Sequence, residues 1–361
     1  MEEDPVKAFI KKEFQADPRS RSYIYMVRKL AGRNTAVLFI FPFAFVFIGT
    51  IFAHDFLVLA GSVALYIGLI VLLIHSRYKL EKEYRQMSIG FRFFFFNSPV
   101  SYSFLKYFIF GIMILSIIIS LTYLPPTIFT GITELVAFMG MTSFLLLWSP
   151  YTRRLTKHST ELDSPGINSR LSAMEREAGM HEVRARVIDG KTFGVANAYC
   201  VGVFKPKICI TDLLLESVSE DEAVSLLAHE LAHLKYRHVL KRMLPVVLVL
   251  VAATAIVIYL GMGLSGFIRI KGLQAMMPFY IQAIVYAIIF SIVIPSAIIR
   301  TRQENNADRF AVFHSGYENL ALALLKARRL NLIPLAPFNG RRHSLILRLD
   351  RMKKYEMEKT R

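Results

Sequence analysis

Residues 229–233 read His-Glu-Leu-Ala-His, inside a stretch whose residues favour a helix. On a helix, the side chains of His229 and His233 project from one face about 6 Å apart, close enough for both to bind one zinc ion. Glu230 points to the neighbouring part of that face, where it could take a proton from a water that the metal has acidified. The spacing therefore predicts a helix that carries two metal ligands and one catalytic base.

The sequence around this stretch predicts where the helix begins and ends. Ser219-Glu220-Asp221-Glu222 has the spacing of a capping box, with acidic residues in the first turn. Basic residues near the other end predict that the helix runs to about Lys241. An apolar stripe on the far side would bury the helix and leave the ligands facing a cleft. The stripe consists of Val224, Leu227, Leu231 and Leu234.

The residues before this helix have the composition of a folded α+β unit. A helix is predicted from Pro165 to Ala178, and Gly179 supplies a left-handed stop. Alternating apolar residues and turn signals then predict three short strands, of which the last two form a hairpin. These strands are Val183 to Val187, Ala198 to Val203 and Ile208 to Thr211.

Long apolar runs dominate the rest of the chain. Hydrophobic residues make up 54% of the 361 residues and the mean hydropathy is +0.42, which does not fit a soluble protein of this size. Six runs reach the length of a bilayer-crossing helix. They are Thr35 to Ala53, Phe56 to Ile74, Tyr107 to Leu124, Gly131 to Trp148, Met243 to Phe267 and Met276 to Ile299. The first run lies behind a charged segment and is not expected to be a removable signal peptide.

The placement of the basic residues predicts the orientation in the membrane. In the connections after the first, third and fifth runs, the only basic residues are Arg269 and Lys271, although the net charge of the chain is +17. The positive-inside rule then puts both termini and residues 151–242 in the cytoplasm. The basic excess is a topology signal, so no nucleic-acid partner is expected. A bacterial or archaeal plasma membrane is favoured over an endoplasmic reticulum.

This topology divides the chain into five predicted parts. They are a cytoplasmic N-terminal segment (1–34), four transmembrane helices with a cytoplasmic connection (35–150), the first half of a catalytic domain (151–242), a transmembrane hairpin (243–299) and the second half of the catalytic domain (300–361). The predicted fold class is a multi-pass α-helical membrane protein of about six spans, with an α+β cytoplasmic domain that is split by the last hairpin.

A third metal ligand is predicted just past the sixth span. Catalytic zinc keeps three protein ligands, so His229 and His233 need one more. Glu304 opens the sequence Glu304-Asn305-Asn306-Ala307-Asp308, on the side of the membrane assigned to the two histidines. Asp308 lies one helical turn later and could accept a hydrogen bond from a ligand imidazole, or it could be an ordinary helix-stabilising acid. One Zn²⁺ ion per chain is the predicted cofactor.

Three other residues of metal-binding type are not expected to bind the ion. Cys200 and Cys209 would stay reduced in the cytoplasm, and two thiols cannot complete a four-ligand zinc site, so both are predicted to be buried small hydrophobes. His238 would lie half a helical circuit from the ligand face if the helix continued to it.

Taken together, His229, Glu230, His233, Glu304 and Asp308 resemble, in type, order and intervening topology, the HtpX-type integral-membrane zinc metallopeptidases, which are related to the CAAX prenyl endopeptidases. The resemblance implies a zincin-like catalytic domain that faces the cytoplasm, with Glu304 as the third zinc ligand. It also implies a polypeptide substrate, and the lipid bilayer as the other partner. The oligomeric state is left open.

Two weaker matches extend the resemblance from about Ser164 onward. Asn197-Ala198-Tyr199 resembles the family's Asn-Ala-Phe strand, which lies along the cleft and pairs with an extended substrate. Without the resemblance, an ordinary edge strand is equally plausible. His343 and Arg348 resemble the family's His-Pro-Ser…Arg signature, although Ser344 stands where proline is usual. Either residue could stabilise an oxyanion, or could serve in a helix cap or a salt bridge.

The N-terminal half departs from the family pattern, since four spans are predicted where two would be usual. The predicted function is zinc-dependent hydrolysis of peptide bonds in membrane or membrane-associated proteins, in protein quality control. Three alternatives stay open: a signalling metallopeptidase that cleaves a regulator, a prenyl-protein (CAAX-type) endopeptidase, and a non-enzymatic membrane scaffold or transporter with a structural zinc site. Glu134 is the single acidic or basic residue within the predicted spans, which disfavours a transporter.

Overall fold

The computed structural model describes residues 4–14, 18–35, 56–98, 158–180, 183–201, 206–238, 298–333 and 345–359, with a few isolated positions besides. The helices are α1 (Pro5–Phe14), α2 (Pro18–Thr35), α3 (Phe56–Arg85), α4 (Phe91–Asn97), α5 (Pro165–Glu177), α6 (Asp212–Leu215), α7 (Glu220–Lys235), α8 (298–315), α9 (Tyr317–Leu330) and α10 (Leu345–Lys359). The strands are β1 (Thr160–Glu161), β2 (Ala185–Ile188), β3 (Ala198–Val201) and β4 (Lys207–Thr211).

The four strands form one sheet in the order β1-β2-β4-β3. β2 and β4 are parallel, whereas β3 pairs with β4 in the antiparallel sense, with Tyr199 opposite Cys209. The predicted hairpin is therefore confirmed, and it puts β3 at an edge of the sheet. The two-residue strand β1 was not predicted, because so short a segment carries no alternating pattern.

The ends of α5 and α7 agree with the sequence signals at three of four positions: both N-terminal caps and the glycine after α5. Ser164 caps α5 by accepting a hydrogen bond from the backbone N–H of Ile167, and Gly179 follows the helix with a φ of 66°. The capping box of Ser219 and Glu222 at the start of α7 is confirmed. The predicted end at Lys241 is wrong, because α7 stops at Lys235 and Arg237 adopts a φ of 49°.

Helix α7 lies at the centre of the domain. Its stripe residues Val224, Leu227 and Leu231 are fully buried, and it packs against α5, α9 and β3. The same core includes apolar residues of α8, α9 and α10, such as Ala311 and Leu320. Segments from both sides of residues 243–299 thus form one hydrophobic core, as a split domain requires.

The N-terminal part of the chain contributes two further groups of helices. α1 packs on α9 and adds Val6 to the core of the domain. α2 packs on α3, and α3 and α4 share a separate apolar cluster around Tyr78 and Phe94. Helices α1 and α2 were not predicted, because the charged residues of this segment were interpreted only as a signal of topology.

Most of the predicted spans fall outside the described residues. Phe56 to Ile74 lies within α3, and the other five predicted spans are wholly or largely outside. Where the chain is described, no helix is both long enough and apolar enough to cross a membrane. The number of spans and the five-part division stay predictions.

Candidate metal centre

Three side chains from two helices converge at one point. His229 and His233 come from the last turns of α7, and Glu304 comes from the first half of α8. The two Nε2 atoms are 3.2 Å apart, Nε2 of His229 is 3.5 Å from Oε2 of Glu304, and Nε2 of His233 is 4.0 Å from Oε1 of Glu304. The three residues are therefore close enough to hold one metal ion.

The separations fit a tetrahedral zinc site. Zinc lies about 2.0–2.2 Å from nitrogen and oxygen ligands, so two ligand atoms at tetrahedral corners are about 3.3–3.6 Å apart. Of the three separations in the structure, 3.5 Å lies within that range, and 3.2 and 4.0 Å lie just below and just above it. Two imidazoles and one carboxylate are also the donors of known catalytic zinc sites, in which a fourth position stays open.

Asp308 and Arg348 support the candidate ligand His229. Asp308 is buried, and its Oδ1 is 3.0 Å from Nδ1 of His229, although the two atoms are not aligned for a hydrogen bond. Arg348, on α10, donates hydrogen bonds of 2.7 and 2.6 Å to the two oxygens of Asp308. The same guanidinium reaches to 3.7 Å from Glu304, so α10 is tied to the metal centre.

His238 supports the second ligand, a role that the sequence did not predict. Its Nδ1 lies 2.7 Å from Nδ1 of His233. The sharp turn at Arg237 makes this contact possible, because it returns the chain to the ligand face immediately after α7 ends. His238 is buried, its ring stacks on Tyr236, and its backbone C=O accepts a hydrogen bond from Gln303 of α8.

Glu230 lies between the ligands and the edge strand β3. Burial raises the pKa of its carboxyl group above the ordinary value, and the nearby backbone N–H of Cys200 partly offsets this effect. A raised pKa brings a carboxylate closer to the range in which it can both accept and release a proton. The side chain keeps partial access to solvent.

The carboxylates give the centre a strong affinity for a positive charge. Burial lowers the pKa of His229, but Asp308 and Glu304 overcome this effect and raise it to about 9. Burial also raises the pKa values of Glu304 and Asp308, yet His229 and Arg348 hold both at about 2. Two ionised carboxylates beside buried imidazoles attract a cation, whether a proton or a metal ion.

The edge strand presents backbone groups to this centre. The backbone C=O of Asn197 accepts a hydrogen bond from the N–H of Thr211, so residue 197 faces β4. In an antiparallel pair the direction alternates, so Ala198 and Cys200 point their N–H and C=O groups to the open side. The backbone N–H of Cys200 lowers the pKa of Glu230, in agreement with this direction.

The remaining predicted residues have mixed outcomes. His343 lies outside the described residues. Cys209 is buried as predicted, but Cys200 is only partly buried, because it lies on the edge strand beside Glu230. Burial raises the pKa of Cys200 to about 12 and that of Cys209 to about 11, so both thiols are protonated at neutral pH.

Comparisons with known proteins give a family match to the region that carries this centre. Residues 161–331 match the model of peptidase family M48. Among solved structures, Ste24p of S. mikatae is 16% identical, with 96% of this chain and 93% of that chain covered and a TM-score of 0.48. A search of curated proteins found no match.

Proposed function

We propose that this chain is a zinc-dependent endopeptidase of peptidase family M48, whose model matches residues 161–331, and that it cleaves membrane or membrane-associated proteins in protein quality control. The observation that carries the proposal is the convergence of His229, His233 and Glu304 beside Glu230. The family match supports the reaction, and the donor set supports zinc.

Each residue has a defined task in the proposed reaction. His229, His233 and Glu304 hold zinc, which when bound polarises the scissile carbonyl and acidifies water. Glu230 takes the proton of the attacking water and returns it to the leaving amine, a double task that its raised pKa favours. Asp308 holds His229 through the close approach of their charged or polar groups at 3.0 Å, and Arg348 keeps Asp308 ionised through a paired hydrogen bond.

The edge strand β3 is the proposed substrate-binding element. An extended polypeptide can add to a sheet edge through backbone hydrogen bonds, which hold it in register whatever its side chains are. Asn197, Ala198 and Tyr199 lie at this edge, and Ala198 directs its backbone groups to the open side. Such pairing suits an enzyme that degrades many unfolded chains.

The test uses the full chain purified in detergent. We expect the purified protein to contain one zinc ion per chain. It should digest an unfolded test protein, and a chelator should stop this digestion. Glu230→Gln should keep its zinc and lose activity by at least about a hundredfold, since general base catalysis contributes about 10²–10⁴-fold. Glu304→Ala should lose zinc as well as activity. Glu216→Gln, an exposed residue of the same domain, serves as the control.

Three results would contradict the proposal: digestion that survives the chelator, full activity in Glu230→Gln, or full zinc occupancy in Glu304→Ala. A parallel assay with a prenylated C-terminal peptide distinguishes the substrate class. Cleavage of that peptide alone, with the unfolded protein left intact, would replace the quality-control role with a CAAX-type activity.

A further inference from the structure

We propose that Arg85, the last residue of α3, positions the substrate-binding strand β3, so that the N-terminal helices set the shape of the cleft. The inference rests on the proposed function, because it assumes that β3 binds substrate. Arg85 lies in the N-terminal half of the chain, outside residues 161–331 that match the peptidase family. Its side chain nevertheless ends beside the segment that leads into β3.

The guanidinium of Arg85 joins three parts of the chain. It donates hydrogen bonds to the backbone C=O of Gly194 and, at 3.3 and 3.4 Å, to the side-chain and backbone oxygens of Asn331. Gly194 lies three residues before Asn197, and Asn331 directly follows α9. One side chain of α3 therefore holds the entrance to β3 against the end of α9.

Asn331 completes the clamp on this segment. Its side-chain oxygen accepts a hydrogen bond of 3.2 Å from the backbone N–H of Ala196, and its side-chain nitrogen donates one of 2.5 Å to the C=O of the same residue. Asn331 thus binds Ala196 as a neighbouring strand would bind it. Since Arg85 binds Asn331, it orients the residue that fixes the chain just before β3.

A buried ion-pair network holds Arg85 itself in place. Its Nε is 2.5 Å from Glu81, a residue with only 3% of its surface exposed. Arg77 is also 2.5 Å from Glu81, and the hydroxyl of Tyr23 donates a 2.8 Å hydrogen bond to the Glu81 carboxylate. A guanidinium that is paired on one side and hydrogen-bonded on the other has little freedom to move, which suits a positioning role.

Arg85 and Gly194 are closely packed, so their contact is sensitive to a change of either side chain. Gly194 has a φ of 58°, and a Cβ added there would be 3.0 Å from Cβ of Arg85. The adjacent Phe193 stacks on Phe93 of α4 at a ring separation of 5.9 Å. The N-terminal helices therefore contact the segment before β3 at two consecutive residues.

This placement connects Arg85 to the reaction centre. The segment it holds continues through Ala196 and Asn197 into β3, where Cys200 lies close to Glu230. Movement of the segment would shift the edge that receives substrate and would leave the metal ligands on α7 and α8 in place. Loss of Arg85 should therefore weaken substrate binding more than metal binding.

The experiment compares Arg85→Met with Arg77→Met in the full-length protein, using one unfolded protein substrate. Arg77 shares the ion pair with Glu81 but makes no described contact with residues 193–197, so it is the matched control. We expect Arg85→Met to raise KM at least fivefold with normal zinc content and a kcat within twofold of wild type. Arg77→Met should leave KM near the wild-type value.

A double-mutant cycle with Asn331→Ala tests the route of the effect. If Arg85 acts through Asn331, the increase in KM for the double variant should be smaller than the product of the two single increases. Arg85→Lys keeps the charge beside Glu81 but cannot reach both Gly194 and Asn331, and it replaces Arg85→Met if that protein does not fold. It should also raise KM.

The proposal is overturned if Arg85→Met or Arg85→Lys has a wild-type KM, or if Arg77→Met raises KM equally. An equal effect of the two arginine variants would show that the ion-pair network merely stabilises the fold. Failure of the proposed function has a different signature, because wild-type digestion would then be absent or insensitive to the chelator.

Discussion

At the scale of single residues, the sequence predicted the candidate metal ligands and Asp308 beside them, but it did not predict the contact of His238 with His233. His229, His233 and Glu304 lie close together. The i,i+4 spacing that places the two histidines on one face is a local property, whereas the position of Glu304 depends on the topology. His238 was set aside because a continuous helix would turn it away from the ligands. The turn at Arg237 interrupts that helix, and neither of the usual signals, glycine or proline, marks it in the sequence.

The contact between His238 and His233 predicts a measurable effect on zinc affinity. When Nε2 of His233 binds the metal, the proton of that ring is on Nδ1. This N–H can donate a hydrogen bond to Nδ1 of His238, 2.7 Å away. His238→Leu removes this acceptor and should weaken zinc binding about 10–100-fold, measured by competition with a chelating dye. His238→Asn keeps an acceptor atom near the same position and should recover most of the affinity. Equal zinc affinity in His238→Leu and wild type would show that the contact has no such role.

At the scale of elements, predictions succeeded where the signal was local. The capping box, the stop after α5 and the β3–β4 hairpin follow from residues within a few positions of one another, and all three are confirmed. The partners of these elements were not predictable, because they depend on residues far apart in sequence. Glu222 illustrates the difference, since its capping role was predicted and its ion pair with Lys326 of α9 was not.

The pair of Glu222 and Lys326 should matter for the stability of the domain. The carboxylate is 6% exposed and accepts hydrogen bonds of 2.9 and 2.7 Å from the ammonium group. Lys326→Met leaves Glu222 buried with only its capping contact, and we expect a loss of about 1–3 kcal/mol in the free energy of unfolding. Arg170→Ala removes the exposed ion pair with Asp221 at the start of the same helix and should cost less than about 1 kcal/mol. Urea denaturation of both variants measures the difference, and equal losses would contradict it.

At the scale of the whole molecule, the metal centre joins segments that the chain separates widely. His229 and His233 precede residues 243–299 and Glu304 follows them, yet the ligand atoms all lie within 4.8 Å of one another. Order along the chain and the positive-inside rule predicted this meeting, whereas the contact of the N-terminal helices with the entrance of β3 has no local sequence signal. Bound zinc should therefore stabilise the packing of α7 against α8, and not merely complete the chemistry.

Removal of the metal tests this coupling. A ligand present at about a thousand times its dissociation constant stabilises the folded state by about 4 kcal/mol, so a chelator should lower the midpoint of thermal unfolding of the wild type. Hydrogen exchange should increase most in α7 and α8, which supply the ligands, and least in α3 and α4 of the separate apolar cluster. Glu304→Ala should unfold at the same temperature with and without the chelator, because it has already lost the ligand that joins the two helices. If the chelator changes exchange equally in all four helices, the metal stabilises the whole fold without a specific role in joining α7 to α8.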